Sequence, residues 1–259
     1  MHDAAKVAAA MTKRARSDQE DDGEVPEGYD VSRFERPSVA VDVALLTVDE
    51  GALRTLLLRR DAAPYRGRWA LPGGFVGMDE ALDDAAARVI EQKTGIRRVF
   101  LEQLYTFGAP KRDPRTRVIT VAHYALVDPA RLAEAREETR VATLEVPWEG
   151  ETGGPVDAIG ADGRALPLAF DHADILGMAV KRVRGKLDYT PIGFQLLPER
   201  FTLAGLQRVH ETVLGRPLNK DSFRRRMLAS GQLEATGDLQ TGVDHRPAEL
   251  YRFARRSAV

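Results

Sequence analysis

Apolar and polar positions change rhythm several times along the chain. From residue 38 the runs VAVDVALLTV and LRTLLLRR, rich in β-branched residues and leucine and separated by DEGA, predict a β-hairpin. WALPGGF predicts a further strand. Over residues 79–94, Leu82, Ala86, Val89 and Ile90 recur at helical spacing, with acidic residues at the start and Gly95 at the end, which predicts a helix. Strands are expected at VFLEQLYTF and RVITVAHYALV, with KRDPRTR as the loop between them, and again around ATLEVPW. Tyr105 and Phe107 alternate with polar neighbours and are expected to pack inward, while Trp148 reads as either packed or binding. Residues 150–167 are turn-rich with room for one short strand, and residues 171–186 predict a helix in which His172 caps or packs at the start.

Beyond a segment with two prolines, FTLAGLQRVHETVLG and NKDSFRRRMLASG predict two short helices joined by RPL. LEATGDLQ and AELYRFARR follow as a two-stranded wing. Helix, turn, helix and wing outline a winged DNA-binding domain. In the second helix Phe223 and Met227 lie four apart and face inward. Arg224 and Arg225 are turned away from Phe223 by about 100° and 200°, toward solvent. A recognition helix needs this arrangement, with guanidinium groups free for base edges and phosphates. Asn219, Lys220, Ser222 and Arg226 complete the candidate DNA-contacting set.

The expected division is therefore a largely disordered tail at 1–35, a ligand-binding α/β unit at 36–185 and a DNA-binding unit at 186–259. The tail joins a basic KRAR to an acidic DQEDDGE with little to bury. Charge supports the split. From Asp171 onward there are 15 Lys/Arg against 10 Asp/Glu, whereas the preceding residues carry 23 against 29, although the net charge is only −1. A basic C-terminal part suits nucleic acid. With 43% hydrophobic and 30% charged residues, and no run near 18 apolar residues, a soluble, non-membrane protein is expected. The absence of cysteine excludes disulfides, thiolate zinc sites and a cysteine nucleophile, and fits a reducing compartment. With no secretory h-region at the start, the expected location is cytoplasmic. The histidines at 2, 123, 172, 210 and 245 have no ligand spacing, so no metal is assigned to them.

Residues 73–96, GGFVGMDEALDDAAARVIEQKTGI, carry the densest chemical signal. They resemble the Nudix box G-x5-E-x7-R-E-U-x-E-E-x-G-U, in which U is aliphatic. Gly74, Glu80, Arg88, Ile90, Gly95 and Ile96 occupy the expected positions. The resemblance implies a Nudix-like α/β/α sandwich with a mixed sheet, and hence an α+β chain once the winged helix-turn-helix is added. The family's Arg-Glu-U-x-Glu-Glu core, which supplies carboxylates to a divalent metal, reads here Arg88, Val89, Ile90, Glu91, Gln92, Lys93. Glu91 points about 100° away from Gln92 and cannot easily stand in. A lysine at a ligand position also repels a hard cation. The expectation is a degenerate hydrolase, with relocation of the metal to Glu102 or Asp84 as the alternative.

Loss of the chemistry need not mean loss of binding. Arg59 and Arg60 at a strand end, Arg66, Arg68 and Trp69 before the pair Gly73 and Gly74, Glu80, Lys93, and the loop arginines Arg112 and Arg115 form the candidate ligand set. The whole of residues 38–256 is similar to the Nudix-related transcriptional regulators of NAD metabolism, on the altered box, LEQLYTFG, RDPR, VAHYAL, DHADIL and FTLAGLQRVHETVLG followed by FRRRM. That resemblance implies a homodimeric repressor on double-stranded DNA operators near genes of NAD synthesis or salvage. It implies a small-molecule effector, ADP-ribose, that releases the DNA, and no required cofactor. Alternatives are a metal-dependent diphosphatase of ADP-ribose-like substrates, a sugar-gene regulator with another ligand, and a scaffold whose C-terminal helices serve a protein partner.

Overall fold

The computed structural model describes residues 28–187, 189–242 and 246–254. The chain divides into two compact units, Met1–Arg36 and Pro37–Val259. Residues 1–27 of the expected tail lie outside the described residues, as do His2 and His245. In the first unit, Val31–Arg33 form a 3-10 turn, with the Asp30 side chain accepting from the Ser32 amide. The Asp-x-Ser sequence supplies this local cap at the end of the expected tail.

The second unit is built on β1 (Ser38–Asp49), β2 (Ala52–Arg59), β3 (Trp69–Ala70), β4 (Gly73–Phe75), α1 (Leu82–Thr94), β5 (Phe100–Phe107), β6 (Val118–Leu126), β7 (Thr139–Glu145), β8 (Asp157–Ile159) and α2 (His172–Lys186). The sheet runs β5-β6-β1-β2-β7-β8, with β3 paired to β2 and β4 to β1. It is mixed: β1 and β6 are parallel, the other pairs antiparallel. The β1–β2 turn is two residues, Glu50 and Gly51, both at positive φ as a tight hairpin requires.

Period-2 geometry explains why β1 is apolar almost throughout. Val41, Val43 and Leu45 face α1 through Ala85, Ala86, Val89 and Ile90. Ala44, Leu46 and Val48 face α2 through Ile175, Leu176, Ala179, Val180 and Val183. A strand covered on both faces cannot alternate. The α/β/α sandwich expected from the sequence is thus present.

Three expectations shift. WALPGGF is two short strands, since Pro72 interrupts pairing and the chain crosses from β2 to β1. The first helix begins at Leu82 rather than 79; Ala81 caps it without a side-chain bond, and Glu80 is held in the preceding loop. Tyr105 is 55% exposed, while Phe107 packs on the core as expected. A register shift between Gln103 and Tyr105 turns Leu104 inward and Tyr105 out, which alternation cannot foresee.

A 3-10 turn at Pro191–Leu196 leads to α3 (Leu203–Leu214), α4 (Lys220–Ala229) and the wing β9 (Leu233–Leu239) and β10 (Glu249–Phe253). Thr202 caps α3 and Asn219 caps α4. Phe201, Leu203, Leu206, Phe223, Met227 and Tyr251 form a small core, joined by Phe194 and Leu197. Val209 and Val213 of α3 belong instead to the core shared with α2. Apolar packing is therefore continuous between the sandwich and the winged helix. Among the described residues no helix is long and apolar enough to cross a membrane.

Candidate functional site

A cavity of about 200 Å³ opens beside β4, between β1 and the start of α2. Its floor is set by close approach. A Cβ on Gly73 would lie 2.2 Å from Asp42 Oδ1, so glycine is what lets that carboxylate occupy the site. Gly74 meets Val89 Cγ2 in the same way, at 3.1 Å, and this joins the glycine pair to the altered box.

The charged lining is cross-braced. Arg112 is buried and grips Asp171 with two bonds, Nε–Oδ2 at 2.8 Å and Nη2–Oδ1 at 2.6 Å, with Asp42 Oδ2 at 3.3 Å. Burial works against its charge, but Asp171 and Asp42 more than offset this and hold its pKa above the ordinary value. Arg115 is paired to Asp113 and holds that carboxyl below its usual range. His172, first in α2, is packed as expected: its Nδ1 accepts from the Leu71 amide at 2.9 Å and its Nε2 faces Asp42 at 3.6 Å. Burial pushes its pKa below the usual value, so the ring is kept neutral.

Phe75 and Phe170 bring aromatic rings to the lining, and Tyr65 packs edge to face on Phe170. Phe170 has a left-handed backbone, φ 51°, and so does Tyr65, φ 63°. Bulky residues rarely adopt this region, and such strain collects at binding sites. Arg60 lies 4.8 Å from the Phe170 centroid, and Arg115 lies 5.9 Å from both Phe75 and Phe170. Cations, rings and a carboxylate–imidazole pair in one cleft suit a nucleotide-like anion.

Of the eleven candidate ligand residues, Arg60, Gly73, Gly74, Arg112 and Arg115 line this cavity. Arg59, Arg66, Arg68, Trp69, Glu80 and Lys93 do not. Arg59, Arg66 and Lys93 are exposed, Arg68 donates to the Leu168 carbonyl, and Trp69 packs on the core. Asp42, Phe75, Phe170 and His172 were missed as ligand candidates. Their only sequence signal is a polar or aromatic residue interrupting an apolar run or a helix start.

The altered box does not fit a divalent metal. Val89 is buried and apolar, while Gln92 and Lys93 are exposed. Glu80 is committed to Arg88 through two bonds, at 2.5 and 2.7 Å, and to the Gly77 amide. Those bonds, Arg88 first, lower its pKa to about 2. Glu102 is occupied by Lys186 at 2.6 Å and by Arg182, and so is not free to replace the missing acids. Among the described residues, no group of three or more His, Cys, Asp or Glu is placed to hold a metal ion.

In the winged helix, Phe223 and Met227 of α4 are buried, and Lys220, Ser222, Arg224, Arg225 and Arg226 are exposed. The Asn219 side chain accepts from the Ser222 amide, so its oxygen is spent on capping. Arg226 lies over the Phe223 ring at 5.7 Å. The Tyr251 hydroxyl of the wing donates to Glu249 at 2.6 Å, and Arg224 lies near enough to act on it electrostatically. Trp148, ambiguous in sequence, is packed, with its Nε1 donating to the Gly154 carbonyl.

Comparison with known proteins joins the two sites. The NUDIX domain model matches residues 36–154, and the NrtR DNA-binding winged helix domain model matches residues 193–253. The chain is 39% identical over 231 residues to the ADPR responsive transcriptional repressor NtrR of Acinetobacter baylyi, which covers 87% of this chain and 86% of the relative. Shewanella oneidensis NrtR, crystallised with a 27mer DNA, superposes with TM-score 0.69 at 34% identity, covering 83% of this chain and 93% of that one. A MutT/nudix family protein from Enterococcus faecalis gives TM-score 0.67 at 28% identity, covering 95% and 93%. With a Nudix domain and an NrtR winged helix in one chain, and a relative of this identity matched over most of both lengths, the protein belongs to the NrtR family.

Proposed function

We propose that this protein is an ADP-ribose-responsive transcriptional repressor: the winged helix holds operator DNA, and the Nudix half binds ADP-ribose without cleaving it. The observation that carries this reading is the cavity beside β4, where Arg60, Arg112 and Arg115 meet the rings of Phe75 and Phe170, while the box beside it has Val89, Gln92 and Lys93 in its core and ties Glu80 to Arg88. Arg60 and Arg115 suit the diphosphate, and Phe75 and Phe170 suit the adenine face. Asp42 and His172, which line the same cavity, would on this reading serve ribose hydroxyls. The related repressor is named for its response to ADPR, which supports the choice of ligand.

The chain acts as a homodimer on this reading, since a two-fold protein matches two half-sites about one helical turn apart. The functional seam falls near residues 185–186, with the genes of NAD synthesis or salvage as targets. DNA from the protein's own upstream region is titrated at fixed salt, with and without ADP-ribose and magnesium, and AMP is assayed in the same tubes. Release of DNA by intact ADP-ribose supports the reading; AMP production without DNA binding would replace it with a diphosphatase.

A further inference from the structure

The helix α2 touches the cavity with one end and the DNA-binding half with the other. At its start, Asp171 is the carboxylate gripped by Arg112, and His172 lines the cavity. Fifteen residues later it ends at Lys186, a span of about 22 Å at 1.5 Å per residue.

Near that far end, Arg184 is buried, and its hydrogen bonds run to main-chain carbonyls. Its Nε donates to Val213 at 2.7 Å, in the last turn of α3, where carbonyls have no partner within the helix. Its Nη1 donates to Trp148 at 3.2 Å and Gly150 at 3.0 Å, and its guanidinium lies 4.7 Å from the Trp148 ring centroid. Burial lowers its pKa, a cost that an apolar residue of similar length would not incur. Between the two ends α2 fits tightly against residues 148–155. A Cβ on Gly177 would fall 1.8 Å from the Gly154 carbonyl oxygen, and one on Gly185 would fall 2.7 Å from Glu151. The helix and this segment therefore have little room to slide separately.

We propose that Arg184 is the positioning residue that couples the cavity to the DNA-reading helix. This rests on the reading of the cavity as the effector site. An anionic ligand held by Arg60 and Arg115 brings negative charge into the cavity that Arg112 also lines, where it competes with Asp171 for that guanidinium, so binding acts on the first residues of α2. The helix carries the displacement to Arg184, which holds the C-terminal end of α3. Through α3 the displacement reaches α4, since Leu206 shares a core with Phe223 and Met227, and Gln207 and Glu211 bind the Leu218 carbonyl and amide in the intervening turn. Reciprocity follows: DNA on α4 must weaken ADP-ribose binding by the same factor.

The test compares the full-length wild type with Arg184→Met and Arg184→Lys. ADP-ribose affinity is measured by calorimetry, and operator affinity is measured with and without saturating ADP-ribose. In the wild type the operator affinity is expected to fall by about 5- to 150-fold on adding ADP-ribose. In Arg184→Met each separate affinity stays near the wild-type value, and the ratio drops below about twofold, with Arg184→Lys intermediate. A merely structural role would lower the affinities together and leave the ratio. A folded Arg184→Met released as readily as the wild type overturns the proposal.

Should the variants fail to fold, amide exchange of the wild type decides the matter. ADP-ribose is expected to change exchange at residues 211–216, and unchanged exchange there overturns the coupling. A wild type that binds ADP-ribose but is not released by it removes the underlying reading, an outcome distinct from a variant that remains coupled.

Discussion

Tyr65 and Phe170 meet edge to face, 4.8 Å between centroids, and both do so from left-handed backbone. Each such residue costs about 1–3 kcal/mol, so the rest of the cavity must hold them in place. Phe170→Gly is expected to relieve the strain and Phe170→Ala to retain it, leaving the glycine variant more stable by about 1 kcal/mol. Both lose the ring, so ADP-ribose affinity should fall about tenfold or more in each. Paired melting and calorimetry decide this; a Phe170→Ala that matches the glycine variant in stability would remove the strain argument.

The Arg112 pairing makes a different demand. Its side chain is 4% exposed and those of Asp42 and Asp171 are 11% and 19%, so removing the cation strands two carboxylates in a poorly hydrated site. Arg112→Met is expected to destabilise the fold by about 3 kcal/mol. Adding Asp171→Asn should restore part of that loss, because one of the stranded charges is gone. Denaturant unfolding of the single and double variants measures the coupling, and strict additivity would mean that the two side chains do not act as a pair.

The sheet and both flanking helices were readable because burial imposes a period, and the box because its spacing survives replacement of its acids. The cavity was only half readable. Arg60 and the glycine pair lie near a local motif, and Arg112 and Arg115 in a recognisable loop, but Asp42 meets Phe170 and His172 from a position far away in sequence. No local pattern records that convergence. Conversely, Arg66 and Lys93 were chosen for charge near the motif, and charge does not say which way a side chain points. Tyr105 was misread because the register shift between Gln103 and Tyr105 breaks the alternation locally, burying Leu104 and exposing Tyr105.

On α4, Arg225 is exposed one position beyond Arg224, which leans toward Tyr251 of the wing. The two should therefore differ in what they read. Arg225→Ala is expected to cost about 1–3 kcal/mol of operator affinity if it meets a base edge, with reduced sequence preference. Arg224→Ala should also weaken DNA binding, but more evenly across sequences and with a shallower salt dependence. ADP-ribose binding stays intact in both, since neither lines the cavity. Loss of DNA and ADP-ribose binding together would point to misfolding rather than lost contacts.

Acidification should act first through His172. Burial holds its pKa below the usual 6.5, so the unfolded chain takes up a proton that the folded ring refuses. Stability from this group is complete above about pH 6.5 and declines as pH falls from there toward the folded pKa. Glu80 acts lower: its depressed pKa gives a contribution present above the ordinary carboxylate range and lost as pH falls through about 2. Between pH 5 and 7 the histidine is therefore the group to test. His172→Asn keeps an acceptor for the Leu71 amide and does not titrate. It is expected to be less stable than the wild type at pH 8, because its side chain fills less of the site, and to approach the wild type as pH is lowered to 5. Denaturant midpoints at four pH values would show this, and parallel curves for the two proteins would mean that His172 is not held neutral.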